Sequence, residues 1–290
     1  MNKKHIIVTG AYGLIGSNFC KTIPSDWEVT KIKGAEIPPL TEMADYIVHG
    51  AGYGQPQKFL EDEMATIDIN TRFTSDLFKY YLKPNGKFLF LSTSEVYSGL
   101  ESPPFKEEQI GTTIPLHPRA CYIESKRCGE TICMAQRRLG VDAKVARLSL
   151  VYGEGTKKGD TRVLNQFIEQ AITKGKIELL DSGTALRTYC YIDDAVKMLW
   201  GILLKGKESI YNVGGFSEVS ITNLAKMIGE ILNVDVVEPP NKEGLIGAPQ
   251  NVKLDMTKTM IEFGYKIRDF TDLGMGLRKT IQWQKKEFVL

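Results

Sequence analysis

The run His5-Ile6-Ile7-Val8-Thr9 is short, apolar and rich in β-branched residues, and it stops on a glycine. Two more glycines follow within Gly10-Ala11-Tyr12-Gly13-Leu14-Ile15-Gly16, and an apolar helical pattern over 14–22 begins inside them. Few folds send a buried strand through a glycine turn straight into a helix. The first glycine permits the tight turn, the second lets backbone approach an anion, and the third lets helix close on strand. The N–H groups and dipole at the start of such a helix attract phosphate. Three glycines at a turn also serve packing alone. Their place between a first strand and a first helix directs the reading to dinucleotide binding, with Gly10, Tyr12, Gly13, Leu14, Ile15 and Gly16 as candidate contacts.

The pattern continues along the chain. Trp27–Ile32, 45–49, Lys87–Ser92 and Ala143–Leu148 read as strands. Residues 58–82, 119–139, 163–174, about 192–205 and about 220–232 read as helices, with Pro84-Asn85-Gly86 ending the first of these and Gly140 the second. Near-continuous apolar strands alternating with helices predict an α/β fold, a Rossmann-type doubly wound parallel sheet covered on both faces. After Tyr152 the texture changes, which predicts a smaller substrate portion. The expected division is 1–152 with about 187–206 for the cofactor-binding part, and about 153–186 with 207–290 for the cap.

Composition narrows the function classes. Of 290 residues, 42% are hydrophobic and 25% charged, which excludes a disordered chain or a fibre. No apolar run approaches the roughly 20 residues that span a bilayer. With 37 basic and 35 acidic side chains there is no general attraction for nucleic acid or anionic membrane, so phosphate binding has to be local. Five irregularly spaced cysteines, none in metal-ligand spacing, and an N-terminus without a long apolar region predict a cytoplasmic protein with reduced thiols and no metal.

A glycine turn of this kind is usually followed, about 20 residues on, by an acid for the adenosine ribose. Here the second strand ends Val29-Thr30-Lys31-Ile32-Lys33-Gly34; Glu28 comes too early and Glu36 too late. Lys31 and Lys33 are either solvated or set to meet a 2′-phosphate, so NAD is expected and NADP stays open. Only about a dozen residues, including Pro38-Pro39, separate Lys33 from Asp45. That leaves no room for a helix and a third strand, and the sheet is expected to lack them.

Tyr122-Ile123-Glu124-Ser125-Lys126 opens the predicted helix 119–139. A spacing of four puts Tyr122 and Lys126 on one helix face. A nearby ammonium favours the phenolate and makes a tyrosine a usable base near neutral pH. A surface lysine above a half-buried tyrosine gives the same spacing. Upstream, Ser92-Thr93-Ser94-Glu95-Val96-Tyr97 lies at the carboxyl end of an apolar strand, the edge where open α/β sheets carry their chemistry.

Glycine turn, hydroxyl-rich strand end and Tyr-x-x-x-Lys occur in that order. In this the chain resembles the extended short-chain dehydrogenase/reductase family, in its branch of NAD-dependent sugar-nucleotide epimerases, dehydratases and decarboxylases. The resemblance covers nearly the whole chain. It implies that Tyr122 takes the sugar hydroxyl proton, that Lys126 binds the nicotinamide ribose and tunes Tyr122, and that Thr93 hydrogen-bonds the reacting oxygen. It implies further that Asn70 ties helix to active-site strand, and that His49 and Ala51, in His49-Gly50-Ala51-Gly52, lie against the cofactor.

The Thr-Ser-Glu form of Thr93-Ser94-Glu95 resembles UDP-glucuronate decarboxylases and some 4,6-dehydratases more than ordinary 4-epimerases, as does Pro118-Arg119-Ala120-Cys121-Tyr122. The implied substrate is a nucleotide-linked sugar that passes through a transient 4-keto form. Glu95 then either removes the C5 proton or positions the sugar; as a plain cap of the next turn it would do neither. Ser94, Arg162 and Arg187 are the implied substrate contacts, arginine suiting bidentate phosphate recognition. Leu150 and Glu154 replace an Asn and a Pro of the family pattern Arg-x-x-Asn-x-Tyr-Gly-Pro, and Ser98 a usual Gly, so the pocket is not a standard one. A homodimer through the helices at 58–82 and 119–139 is implied as well. The alternatives are a 4-epimerase, or a non-catalytic NAD(P)-sensing member of the fold.

Overall fold

The computed structural model describes residues 3–34, 42–239 and 251–288. The first strand and turn form as the sequence predicts: β1 is His5–Thr9 and α1 is Leu14–Lys21. Strands β2 (Glu28–Ile32), β3 (Ala44–His49), β4 (Leu82–Thr93) and β5 (Asp142–Leu148) follow. The alternation of apolar residues then decides which face each side chain covers, because successive strand residues point to opposite sides. Ile6, Val8, Leu89 and Leu91 enter one core cluster together with Phe19 of α1. Ile7, Ile47, Phe88 and Phe90 enter a second, with Ile69 and Phe73. Both faces are therefore buried, which is why the strands read as unbroken apolar runs.

The segment predicted as one helix over 58–82 is broken. It consists of α2 (Pro56–Glu61), α3 (Glu63–Asn70), α4 (Arg72–Asp76) and a π-helical turn, Leu77–Tyr81. Asp62 makes the first break by capping α3: its Oδ1 accepts from the Ala65 N–H at 2.9 Å. Pro84-Asn85-Gly86 falls in β4, where the register against β3 shifts between Ala44 and Tyr46. Helix α5 (Ala120–Arg138) matches its prediction to within a residue at each end.

Beyond β5 come β6 (Leu150–Tyr152), α6 (Val163–Lys174), β7 (Lys176–Glu178), β8 (Leu186–Tyr191), α7 (Ile192–Lys205) and β9 (Ile210–Val213). The remaining elements are β10 (Glu218–Ser220), α8 (Ile221–Leu232), β11 (Asp235–Val237), β12 (Asn251–Val252), α9 (Thr257–Phe263) and α10 (Leu273–Glu287). The large sheet is six-stranded and parallel, in the order β2-β1-β3-β4-β5-β9. α1 packs on α7, and α3 on α5. Smaller sheets join β8 to β6, β10 and β12, and β11 to β7.

Two sequence expectations meet this topology. Among the described residues β2 is the outer edge of the sheet; most of the segment expected to lack a strand, 35–41 with Glu36, Pro38 and Pro39, lies outside the described residues. Beyond the expected division at about 206 the chain returns to the large sheet, where β9 pairs with β5. Among the described residues no helix is long and apolar enough to cross a membrane.

Candidate active site

The carboxyl ends of β1, β3, β4 and β5 open into one cleft of about 560 Å³. Its near wall is the glycine turn. Gly10 has φ +66°, and a Cβ there would stand 2.3 Å from the Gly50 carbonyl oxygen. A Cβ on Gly16 would stand 2.2 Å from the Gly10 carbonyl oxygen, so helix cannot close on strand without this glycine. Gly13 differs: a Cβ there would meet only the Gly10 carbonyl oxygen, at 3.3 Å, and would otherwise occupy cleft. No side chain caps the first turn of α1 and no acid lies in it, so its positive end faces the cleft without a counter-charge. Tyr12, Leu14 and Ile15 line the same wall, and Lys33 and Gly34 line the cleft as well, whereas Lys31 is exposed on β2 and is not part of the lining. These features fit a dinucleotide's pyrophosphate.

Thr93, Ser94, Glu95, Tyr122 and Lys126, which lie far apart in sequence, line this cleft together with Arg162. Thr93 ends β4, and its hydroxyl accepts from the Glu95 N–H at 3.2 Å, starting a short 3-10 turn over Ser94–Tyr97 that carries Glu95. Tyr122 sits in the first turn of α5, stacked on Phe59 of α2 with 4.6 Å between ring centroids and planes 3° apart. Burial, with Glu95 nearby, pushes its phenol up to about 12; the Thr93 hydroxyl, Arg119 and Arg162 act in the opposite direction.

Lys126 makes contacts that the sequence did not indicate. Its ammonium donates to the Leu91 carbonyl at 2.8 Å and lies 4.7 Å over the Phe90 ring. Burial brings it down to about 8, partly opposed by Glu130. His49 also departs from expectation. It is wholly buried behind the cleft wall, with ring nitrogens on the Thr9 hydroxyl at 2.7 Å and the Ile69 carbonyl at 3.1 Å. Burial holds it neutral, near 3, so it props β1 against α3, while Gly50 and Ala51 line the cleft. Expected to tie helix to active-site strand, Asn70 instead joins α3 to α5, its Nδ2 donating to Ser125 Oγ at 3.0 Å.

The arginines separate in role. Arg162 lines the cleft but forks onto Asp160, at 2.6 Å from Nη2 to Oδ2. Arg187 donates to the Leu186 carbonyl at 2.8 Å and stands in the field of Tyr189, Arg119, Asp181 and Glu95, outside the residues that line the cleft. Sequence reasoning did not single out Arg119, Phe59 or Tyr189. Arg119 pairs with Glu95 at 2.5 Å, and its only sequence signal was the Pro118-Arg119 segment. Leu150, in place of the family's Asn, lines the cleft with an apolar side chain. No cluster of three or more His, Cys, Asp or Glu that could hold a metal occurs among the described residues.

Comparison with known proteins agrees with this geometry. The model of the NAD dependent epimerase/dehydratase family matches residues 6–214. UDP-glucuronic acid decarboxylase 1 of Xenopus tropicalis is 29% identical over 315 aligned residues, covering 99% of this chain and 73% of the relative. Two solved structures share the fold. A UDP-glucose 4-epimerase of Thermotoga maritima, solved with UDP-glucose, superposes with TM-score 0.82 at 22% identity, covering 98% of this chain and 99% of that one. A UDP-glucuronic acid 4-epimerase of Bacillus cereus, solved with UDP-glucuronic acid and NAD, superposes with TM-score 0.80 at 23% identity, covering 97% and 99%.

Proposed function

The chain belongs to the NAD dependent epimerase/dehydratase family, and from that premise we propose that it decarboxylates a nucleotide-linked hexuronic acid such as UDP-glucuronate through a transient 4-keto sugar. One observation carries the reading: Thr93, Glu95, Tyr122 and Lys126 meet in a cleft whose other wall is an uncapped helix start behind a glycine turn. Gly10, Tyr12, Gly13, Leu14, Ile15, Gly16 and Ala51 would hold the dinucleotide, with Lys126 at its ribose. NAD bound there would supply the hydride acceptor for C4 and the hydride that restores it. Tyr122 removes the C4 hydroxyl proton, and Thr93 holds the same oxygen. With C4 a ketone, the C5–C6 bond breaks, carbon dioxide leaves, and the electron pair enters the ketone as an enolate before a proton returns to C5. Ser94, Arg162 and Arg187 are the proposed substrate contacts, and pairs of this chain through α3 and α5 the proposed assembly.

A second reading, 4,6-dehydration, is favoured by the Glu95 Oε2 atom, which is buried without a partner among the described residues and could take the C5 proton. Incubation with UDP-, GDP-, CDP- and dTDP-sugars, without added cofactor, separates the readings. Release of carbon dioxide from UDP-glucuronate supports the first, and loss of water from a neutral hexose the second. Tyr122→Phe should lower kcat by about 10²–10⁴-fold, the usual reach of a general base. If no sugar turns over and NAD still binds, the chain is a sensor of the cofactor and the enzymatic reading is wrong.

A further inference from the structure

We propose that Arg119 is a positioning residue of this site: it acts through Glu95, fixing one carboxylate oxygen so that the other is held toward the sugar ring. This deepens the proposed nucleotide-sugar chemistry and rests on it. Arg119 is the N-cap residue of α5, three positions before Tyr122, so the helix that sets the tyrosine also sets the arginine. Glu95 comes from a different element, the 3-10 turn after β4. The two meet at 2.5 Å between Arg119 Nη2 and Glu95 Oε1, with the side chains only 18% and 20% exposed.

Arg119 is held from a second side. Its guanidinium lies 5.5 Å from the centre of the Phe59 ring, and Phe59 is the ring stacked on Tyr122. Glu95 lines the cleft with Thr93, Tyr122 and Arg162, whereas Arg119 is not part of the lining. Arg119 therefore works from behind. Within the pair, Glu95 Oε2 and Arg119 Nε are buried without partners among the described residues. A buried acceptor of this kind is costly unless something outside the fold satisfies it. A sugar hydroxyl bound in the cleft that Glu95 lines is the proposed donor to Oε2.

Electrostatics points the same way. Burial leaves the Glu95 carboxyl raised, and Arg119, then Arg187, oppose that rise. Tyr122, whose phenol feels Glu95, Arg119 and Arg162, is the other titratable group beside it, and Tyr189 stands next to Arg187. Without Arg119 the acid would take up a proton at higher pH and be free to rotate.

The test combines kinetics with a direct titration. In the wild type the Glu95 carboxyl band, identified by infrared difference against Glu95→Gln and followed as pH is varied, should be that of the ionised carboxylate at pH 7 despite its burial; a protonated band at pH 7 would overturn the proposal. In Arg119→Gln that titration, and the acid limb of kcat for the accepted nucleotide sugar, should move up by one pH unit or more. KM should change less than threefold, kcat at pH 7 should fall at least tenfold, and Arg119→Lys should restore most of it. The double variant Glu95→Gln/Arg119→Gln should be no slower than Glu95→Gln alone, since coupled residues are not additive. Additive losses, or a pH profile parallel to wild type, would sink the idea. The wild-type titration needs no altered Arg119, so it decides even if Arg119→Gln does not fold. If the wild type turns over no nucleotide sugar, the functional reading fails, while the infrared shift still reports whether Arg119 holds Glu95 ionised.

Discussion

At the scale of single residues, the glycine turn divides into positions the fold requires and one it leaves to a ligand. Gly16 is required because a Cβ would overlap the Gly10 carbonyl oxygen at 2.2 Å, and Gly10 because of its positive φ. Gly13 is not under that demand. Gly16→Ala is therefore expected to lose about 1–3 kcal/mol, the usual cost of overpacking. Gly13→Ala should melt within a few degrees of wild type yet bind NAD at least tenfold more weakly; thermal melts and calorimetric titration with NAD check both. The sequence made these glycines legible as a set, because their spacing is local. The separate parts of His49 and Lys126 were not legible. Each is decided by a partner distant in sequence: the Ile69 carbonyl 20 residues from His49, the Leu91 carbonyl 35 residues from Lys126.

Among elements, β4, α5 and β5 are pinned behind the site by a buried polar network. Arg147 on β5 forks onto Glu130 of α5, at 2.9 and 2.7 Å, and Glu130 accepts from the Ser92 hydroxyl of β4 at 2.6 Å. The remaining guanidinium nitrogen, Nη1, donates to Tyr97 and to the carbonyls of Glu107 and Gln109. Arg147 and Glu130 side chains are 4% and 7% exposed, so removing one partner strands a buried charge. Arg147→Met is expected to destabilise by about 3–5 kcal/mol, and adding Glu130→Met should recover part of that loss. Urea denaturation of both variants measures it. The long helix α5 was readable because its apolar pattern runs unbroken to Gly140. The segment 58–82 misled because its apolar spacing is helical throughout, while Asp62 gains more from capping α3 than from continuing α2.

For the whole molecule, the six-stranded parallel sheet gathers distant motifs onto one edge, and α3 and α5 cover one face of it together. Met64 on α3 is 72% exposed, and Leu139, just after α5, is 78% exposed, on the elements where pairing is proposed. Sedimentation should give about twice the mass of one chain, and Met64→Glu/Leu139→Glu should return it to one; a wild-type monomer at micromolar concentration would refute the pairing. By itself the sequence determined the strand-turn-helix start, the parallel α/β class, the positions of most helices, and the order of glycine turn, Thr-Ser-Glu and Tyr-x-x-x-Lys. These depend on period, glycine conformation and apolar runs, all set by neighbours along the chain. Tertiary structure alone decided that β9 completes the sheet, that His49 stands behind the cleft, and that Arg119 pairs with Glu95 while Lys126 donates to the Leu91 carbonyl. Those outcomes depend on which charges are brought together in a buried space of low polarity, and there a few ångströms outweigh any spacing in the sequence.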